Sequence, residues 1–97
     1  MSLTSSQKKF LRQRAHHLKP VVIIGQHGLG ENVLGEIDNA LAHHELIKVR
    51  VNAADREERQ QLIDAIIQQS QAEQVQLIGH VAVFYRPAEE PKIQLPR

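Results

Sequence analysis

The sequence predicts a single α/β domain in which three helices pack on a mixed four-stranded sheet. Apolar spacing switches between helical and strand periods in the order helix, strand, helix, strand, helix, strand, strand. Helical crossovers imply parallel strand neighbours with right-handed connections, and the last two strands, separated only by Gly79-His80, add an antiparallel hairpin. The chain has 97 residues, enough for one modest core and too few for two, and 41% of them are apolar, as in a folded domain.

Each element has a local cause. Thr4, Ser5 and Ser6 offer caps for a first helix whose apolar positions Phe10, Leu11, Ala15 and Leu18 recur at helical spacing before Pro20 ends it. On its wheel Lys8, Arg12 and Lys19 fall together, with Lys9 and His16 beside them, so a basic stripe is expected off the apolar face. Val21-Val22-Ile23-Ile24 is β-branched and apolar without alternation, which predicts a central strand covered on both faces. After a glycine-rich turn, Val33, Leu34, Ile37 and Leu41 mark a second helix that ends near His43 and His44.

Leu46 to Val51 alternates, so Ile47, Val49 and Val51 face the core while Lys48 and Arg50 face outward together. Asn52 or Asp55 caps a third helix with Leu62, Ile63, Ile66 and Ile67 on its buried stripe and an acidic, amide-rich outer face. Val75 to Ile78 and Val81 to Arg86 are strands, and a glycine at the first turn position between them suits a type II′ hairpin. The folded domain is therefore placed at residues 1–86. Residues 87–97, with Pro91 and Pro96, are expected to form an extended tail of which the core needs little.

Charge is unevenly distributed. Residues 1–24 hold Lys8, Lys9, Arg12, Arg14 and Lys19 with no acid, whereas residues 31–45 hold four acids and no Lys or Arg. A basic patch beside an acidic flank concentrates a polyanion at one place, which points to nucleic acid. The chain has no cysteine, excluding disulfides, thiolate metal sites and cysteine nucleophiles. Its six histidines include the adjacent pairs His16-His17 and His43-His44, which diverge on a helix, so no metal or other cofactor is expected. Serines near the N-terminus or at Ser70 and carboxylates on outer helix faces supply no reactive constellation, and an enzyme is not expected. No apolar run reaches membrane-span length and no secretory signal pattern is present, so a cytoplasmic, membrane-free monomer is expected.

The most informative motif is Gly25-Gln26-His27-Gly28, between a strand and a helix. Glycines there let the backbone approach a ligand, and the amides of the following helix favour an anion. A P-loop would need Lys then Ser or Thr where Glu31 and Asn32 follow Gly30, and a dinucleotide fingerprint starting at Gly28 would need glycine where Val33 stands. What remains is G-x-x-G, the spacing with which KH domains clamp the backbone of single-stranded RNA. Candidate RNA contacts are Gly25, Gln26, His27 and Gly28, with the cations Lys8, Lys9, Arg12, Lys19, Lys48 and Arg50 and the imidazole of His16. Only Phe10, Phe84 and Tyr85 are aromatic, so binding is expected to rest on phosphate contacts and RNA shape more than on base stacking.

Leu18-Lys19-Pro20 with the strand and glycine loop that follow, His43-His44-Glu45-Leu46-Ile47-Lys48-Val49, and Ile78-Gly79 ahead of Tyr85-Arg86-Pro87 together resemble the CRM-domain family in its stand-alone bacterial, YhbY-type form. The resemblance spans essentially the whole chain. It implies a compact domain similar to the C-terminal domain of translation initiation factor 3, RNA binding through the loop and adjoining basic surface, and association with ribosomal RNA in precursors of the large subunit, with ribosomal proteins as possible further partners. Two positions depart from a KH-like pattern: Gln26 and His27 stand where a Lys or Arg is often found, and Gly30 stands where Ser or Thr would cap the helix. The competing expectation is a protein-docking module whose acidic helix faces bind a basic ribosomal protein or assembly factor.

Overall fold

The computed structural model describes residues 2–25 and 28–97. Its elements are α1 (Ser5–Ala15), β1 (Pro20–Ile24), α2 (Glu31–His44), β2 (Leu46–Val51), α3 (Arg56–Ser70), β3 (Glu73–Ile78) and β4 (Val81–Tyr85), the predicted order. The four strands form one mixed sheet in the order β1-β2-β4-β3. β1 and β2 are parallel, whereas β4 lies antiparallel to both β2 and β3. The sequence predicted two parallel neighbours from two crossovers. Only the first is adjacent, because the crossover through α3 sets β3 one strand further out and the hairpin returns β4 into the gap.

The sheet is packed on both faces. Val22, Ile24, Ile47, Val49, Val51, Ala82 and Phe84 face α2 and α3, which contribute Ile37, Leu41, Ile63 and Ile66. Leu46, Val75, Val83 and Tyr85 face the other way, onto Leu11 and Ala15 of α1 and onto Ile93. Strand alternation sorts β2 between the two cores, as the period of two requires.

Local chemistry sets the element ends. Thr4 and Gln7 form a reciprocal capping box at the start of α1. Asp55 caps α3 by accepting from the Glu58 amide at 2.8 Å. Gly79 has φ +58° and His80 does not share a positive φ, the pattern of a type II′ turn. α1, however, stops at Ala15, and the amide of Leu18 donates to the Ala15 carbonyl in a closing turn. Leu18 and Lys19 therefore lie outside the helix instead of extending its stripes.

β1 corrects a second expectation. It is an edge strand, and Val21 and Ile23 are 52% and 61% exposed. An unbroken apolar run is the pattern of a strand buried twice, but α1 covers only the part of this face near Leu46, Tyr85 and Val75, which leaves the outer side of β1 open.

Residues 87–97 are extended but not loose. Ile93 is buried in the second core, Leu95 packs against it, and the Gln7 side-chain amide donates to the Pro96 carbonyl at 3.0 Å. The anchor is Glu45, only 1% exposed. One carboxylate oxygen accepts from the amides of Lys92 and Ile93, both at 2.9 Å, and the other from Ala88 at 2.8 Å. Burial alone would push this carboxyl up, but the three amides and the Lys92 charge outweigh it and hold the group below its ordinary value. The expectation that the core needs little of this segment missed the anchor because its partners lie more than forty residues from Glu45 in the chain.

Candidate nucleic-acid interface

The glycine loop begins where β1 ends, at the carboxyl ends of the parallel pair β1 and β2, the usual place for a ligand in an open α/β sheet. The Gly28 amide donates to the Gly25 carbonyl at 3.0 Å, and Gly28 sits at φ +69°, a conformation that favours glycine. A Cβ at Gly25, Gly28 or Gly30 would meet no atom within 4 Å, so the backbone here is open to approach. Gln26 and His27, two of the predicted contacts, lie outside the described residues.

Just beyond the loop, α2 starts without a side-chain cap. Gly30 occupies the N-cap in an extended conformation and its carbonyl accepts from Leu34 at 3.0 Å, but among the described residues no side chain answers the first-turn amides. Those donors and the helix dipole point toward the loop, although Glu31 in the first turn offsets part of the field.

Lys48 and Arg50 rise from β2 on the sheet face opposite α2 and α3, as the alternation predicted. Arg50 is the register partner of both Ile23 on β1 and Val81 on β4, and its Nε donates to the Asn52 side chain at 3.2 Å. Lys48 is level with the beginning of β1 and Arg50 with its last residues, so the two cations form a column running toward the loop. Around Arg50 the face is bare, with Ile23 and Ile78 61% and 63% exposed, whereas Lys48 is partly covered beside the buried Val83.

The α1 cations sit elsewhere. α1 packs over Leu46, Tyr85 and Val75, which belong to the end of the sheet away from the glycine loop. Lys9, Arg12 and His16 are exposed and Lys8 is partly covered, so the stripe exists, but the open sheet face with Lys48 and Arg50 lies between it and the loop. Lys19, outside the helix, leaves the stripe and shares a cleft with Arg14 and Lys92. That cleft was not foreseen. Arg14 falls on the opposite flank of α1 from the stripe, and nothing in the sequence near residue 92 signals that it returns to α1. Among the described residues the one ion pair is Arg86 with Asp38, at 2.7 Å, so the cations named here are not neutralised by paired carboxylates.

The aromatic side chains do not form a platform. Tyr85 and Phe84 are buried in opposite cores, and the Tyr85 hydroxyl is pushed above its ordinary value by burial and then by the Glu45 charge. Among the described residues no group of three or more His, Cys, Asp or Glu gathers where a metal ion would sit, and no helix is long and apolar enough to cross a membrane.

Fold and surface thus define a class: a small α/β domain with a glycine-bounded turn at its parallel-strand ends and cations on a partly open sheet face. The chain belongs to the CRS1 / YhbY (CRM) domain family, whose model matches residues 3–86. It is 60% identical over 96 residues to a Haemophilus influenzae protein named RNA-binding protein, covering 99% of this chain and 97% of that relative. It is 40% identical over 95 residues to "Probable RNA-binding protein YqeI" of Bacillus subtilis, covering 97% of this chain and 99% of the relative. The solution structure of SAV1595 from Staphylococcus aureus superposes with a TM-score of 0.83 at 38% identity, covering 98% of this chain and all of that one.

Proposed function

We propose that this protein binds RNA through its phosphate backbone, without catalysing a reaction, and that it does so on precursors of the large ribosomal subunit in the cytoplasm. The observation that carries the reading is the column of Lys48 and Arg50 on β2, leading to Gly25 and Gly28, where the backbone has open space, and to the uncapped start of α2. Cations supply long-range attraction, and the backbone amides at the uncapped start of α2 supply short, directional donors to a phosphate oxygen. Lys8, Lys9, Arg12 and His16 extend the positive surface at the far end of the sheet, with Lys19 at its side, so a bound strand has contacts at both ends. The names of close relatives support RNA as the partner, and the ribosomal precursor follows from the family resemblance.

Replacing Lys48 and Arg50 together by Gln tests this reading. Each lost phosphate contact on a single strand lowers the slope of log affinity against log salt by about 0.7, so the double variant is expected to lose about 1.4 from the slope while keeping its fold. An unchanged slope removes this face from the interface, and docking of a basic protein on the acidic faces of α2 and α3 then becomes the better account.

A further inference from the structure

The cleft that gathers Arg14, Lys19 and Lys92 has a volume of about 460 Å³, within the range of small-ligand pockets. Its walls are aliphatic, from Leu18, Val21, Leu46 and Ile93. The three cations are exposed at its edge. Glu45 also borders it, but both carboxylate oxygens are occupied by the amides of residues 88, 92 and 93, so that acid is turned to the chain and not to an incoming anion. His43 and His44, at the end of α2, complete the rim.

An aliphatic slot edged by cations matches a flat ring that carries a phosphate. We propose that this cleft is a second nucleotide site, which takes one unpaired base of the bound RNA between its aliphatic walls while Arg14, Lys19 and Lys92 hold the adjoining phosphates. The inference rests on the RNA-binding reading and adds to it a preference for unpaired over duplex RNA. A paired base presents only its edge and cannot enter a slot lined by side chains, whereas a splayed base buries both faces. Geometry connects the two sites. The cleft includes Val21, the second residue of β1, and the glycine turn follows the end of the strand, so four residue steps separate them by about 13 Å. Ile23 lies exposed between them, beside Arg50, so a strand leaving the cleft meets apolar surface and cations alternately on its way to the turn.

The cleft is also a product of the C-terminal segment. Lys92 and Ile93 form one wall because Glu45 pins their amides and Ile93 is buried in the second core, and both residues lie beyond the part of the chain that the family model matches.

The test compares a short unstructured RNA strand with a duplex of the same length, using wild type and the double variant Leu18→Ser with Val21→Ser. Both side chains are substantially exposed, at 38% and 52%, and neither substitution changes charge. Circular dichroism confirms the fold, and Leu18→Ser alone, outside every helix and strand, provides a milder variant. Expected is a loss on the order of tenfold in affinity for the single strand, with duplex affinity and both salt slopes unchanged. If the folded variants bind the single strand as tightly as wild type does, the cleft is not a nucleotide site, and the phosphate-binding surface stands without it. If wild type binds neither RNA, the RNA reading fails and the cleft proposal with it.

Discussion

Replacing Glu45 by Ala tests how far the C-terminal segment is part of the fold. In wild type three backbone amides donate to one buried carboxylate, and hydrogen bonds to a charged acceptor contribute roughly 1.5–3 kcal/mol each. These do not simply add, because a released segment can rehydrate its amides. The loss is instead capped by the free energy of docking the segment. That docking comprises Ile93, whose full burial is worth about 1.5–3 kcal/mol, and the bond from Gln7 to Pro96, worth about 1 kcal/mol. The net expectation is about 3 kcal/mol, or a fall in melting temperature of roughly 12–24 °C for a domain of this size. Thermal and urea unfolding read the stability, and amide hydrogen exchange at Ala88, Lys92 and Ile93 reads the docking. Protection at these amides should vanish in the variant while that of β2 and β4 falls only with global stability. A melting temperature within about 2 °C of wild type, with Ile93 still protected, would refute the anchor.

The same carboxyl makes stability depend on pH. Its folded value lies below its unfolded one, so its contribution is complete at neutral pH and is lost as pH falls through the ordinary Glu range to the lowered folded value. The stability difference between wild type and Glu45→Gln should therefore shrink with acidification in that window; a constant difference contradicts the assignment. Gly28→Ala should cost about 1 kcal/mol through backbone strain at φ +69°, whereas Gly25→Ala, with open space and no positive φ, should stay within about 0.5 kcal/mol of wild type by denaturant unfolding. Arg86 bonds the Asp38 side chain and carbonyl and the Ser70 carbonyl, but the Asp38 side chain is 66% exposed. Solvent screening limits Asp38→Ala to about 0.5 kcal/mol, and Arg86→Ala, which also strips two carbonyls, should cost about 1–2 kcal/mol in the same assay.

The element order was legible because each helix and most strands carry their own period, and two helices and the last hairpin their own end signals, as Thr4, Asp55 and the Gly79 turn illustrate. What escaped depends on partners distant in the chain. Periodicity cannot tell whether Val21 and Ile23 will be covered, since that is decided by where α1 lies on the sheet. A helical wheel that runs to residue 19 joins Lys19 to Lys8 and Arg12, but the turn after Ala15 carries it to Arg14 instead. Glu45 looked like one more acid on an acidic flank, yet its positive φ of 65° and its three amide partners make it the structural hinge of the C-terminal segment. The cations of β2 were visible because strand alternation is local, and the glycine turn because its spacing is.

The most direct test of the central claim is RNA affinity measured across salt concentrations for wild type, the triple variant Lys8→Glu, Arg12→Glu and Lys19→Glu, and Gly28→Asp. Expected are a steep salt dependence for wild type, a shallower slope and weaker binding for the triple variant, and weaker binding for Gly28→Asp, in which a carboxylate is set where the backbone has open space. Wild-type affinity in both variants, with their folds intact, would contradict the claim.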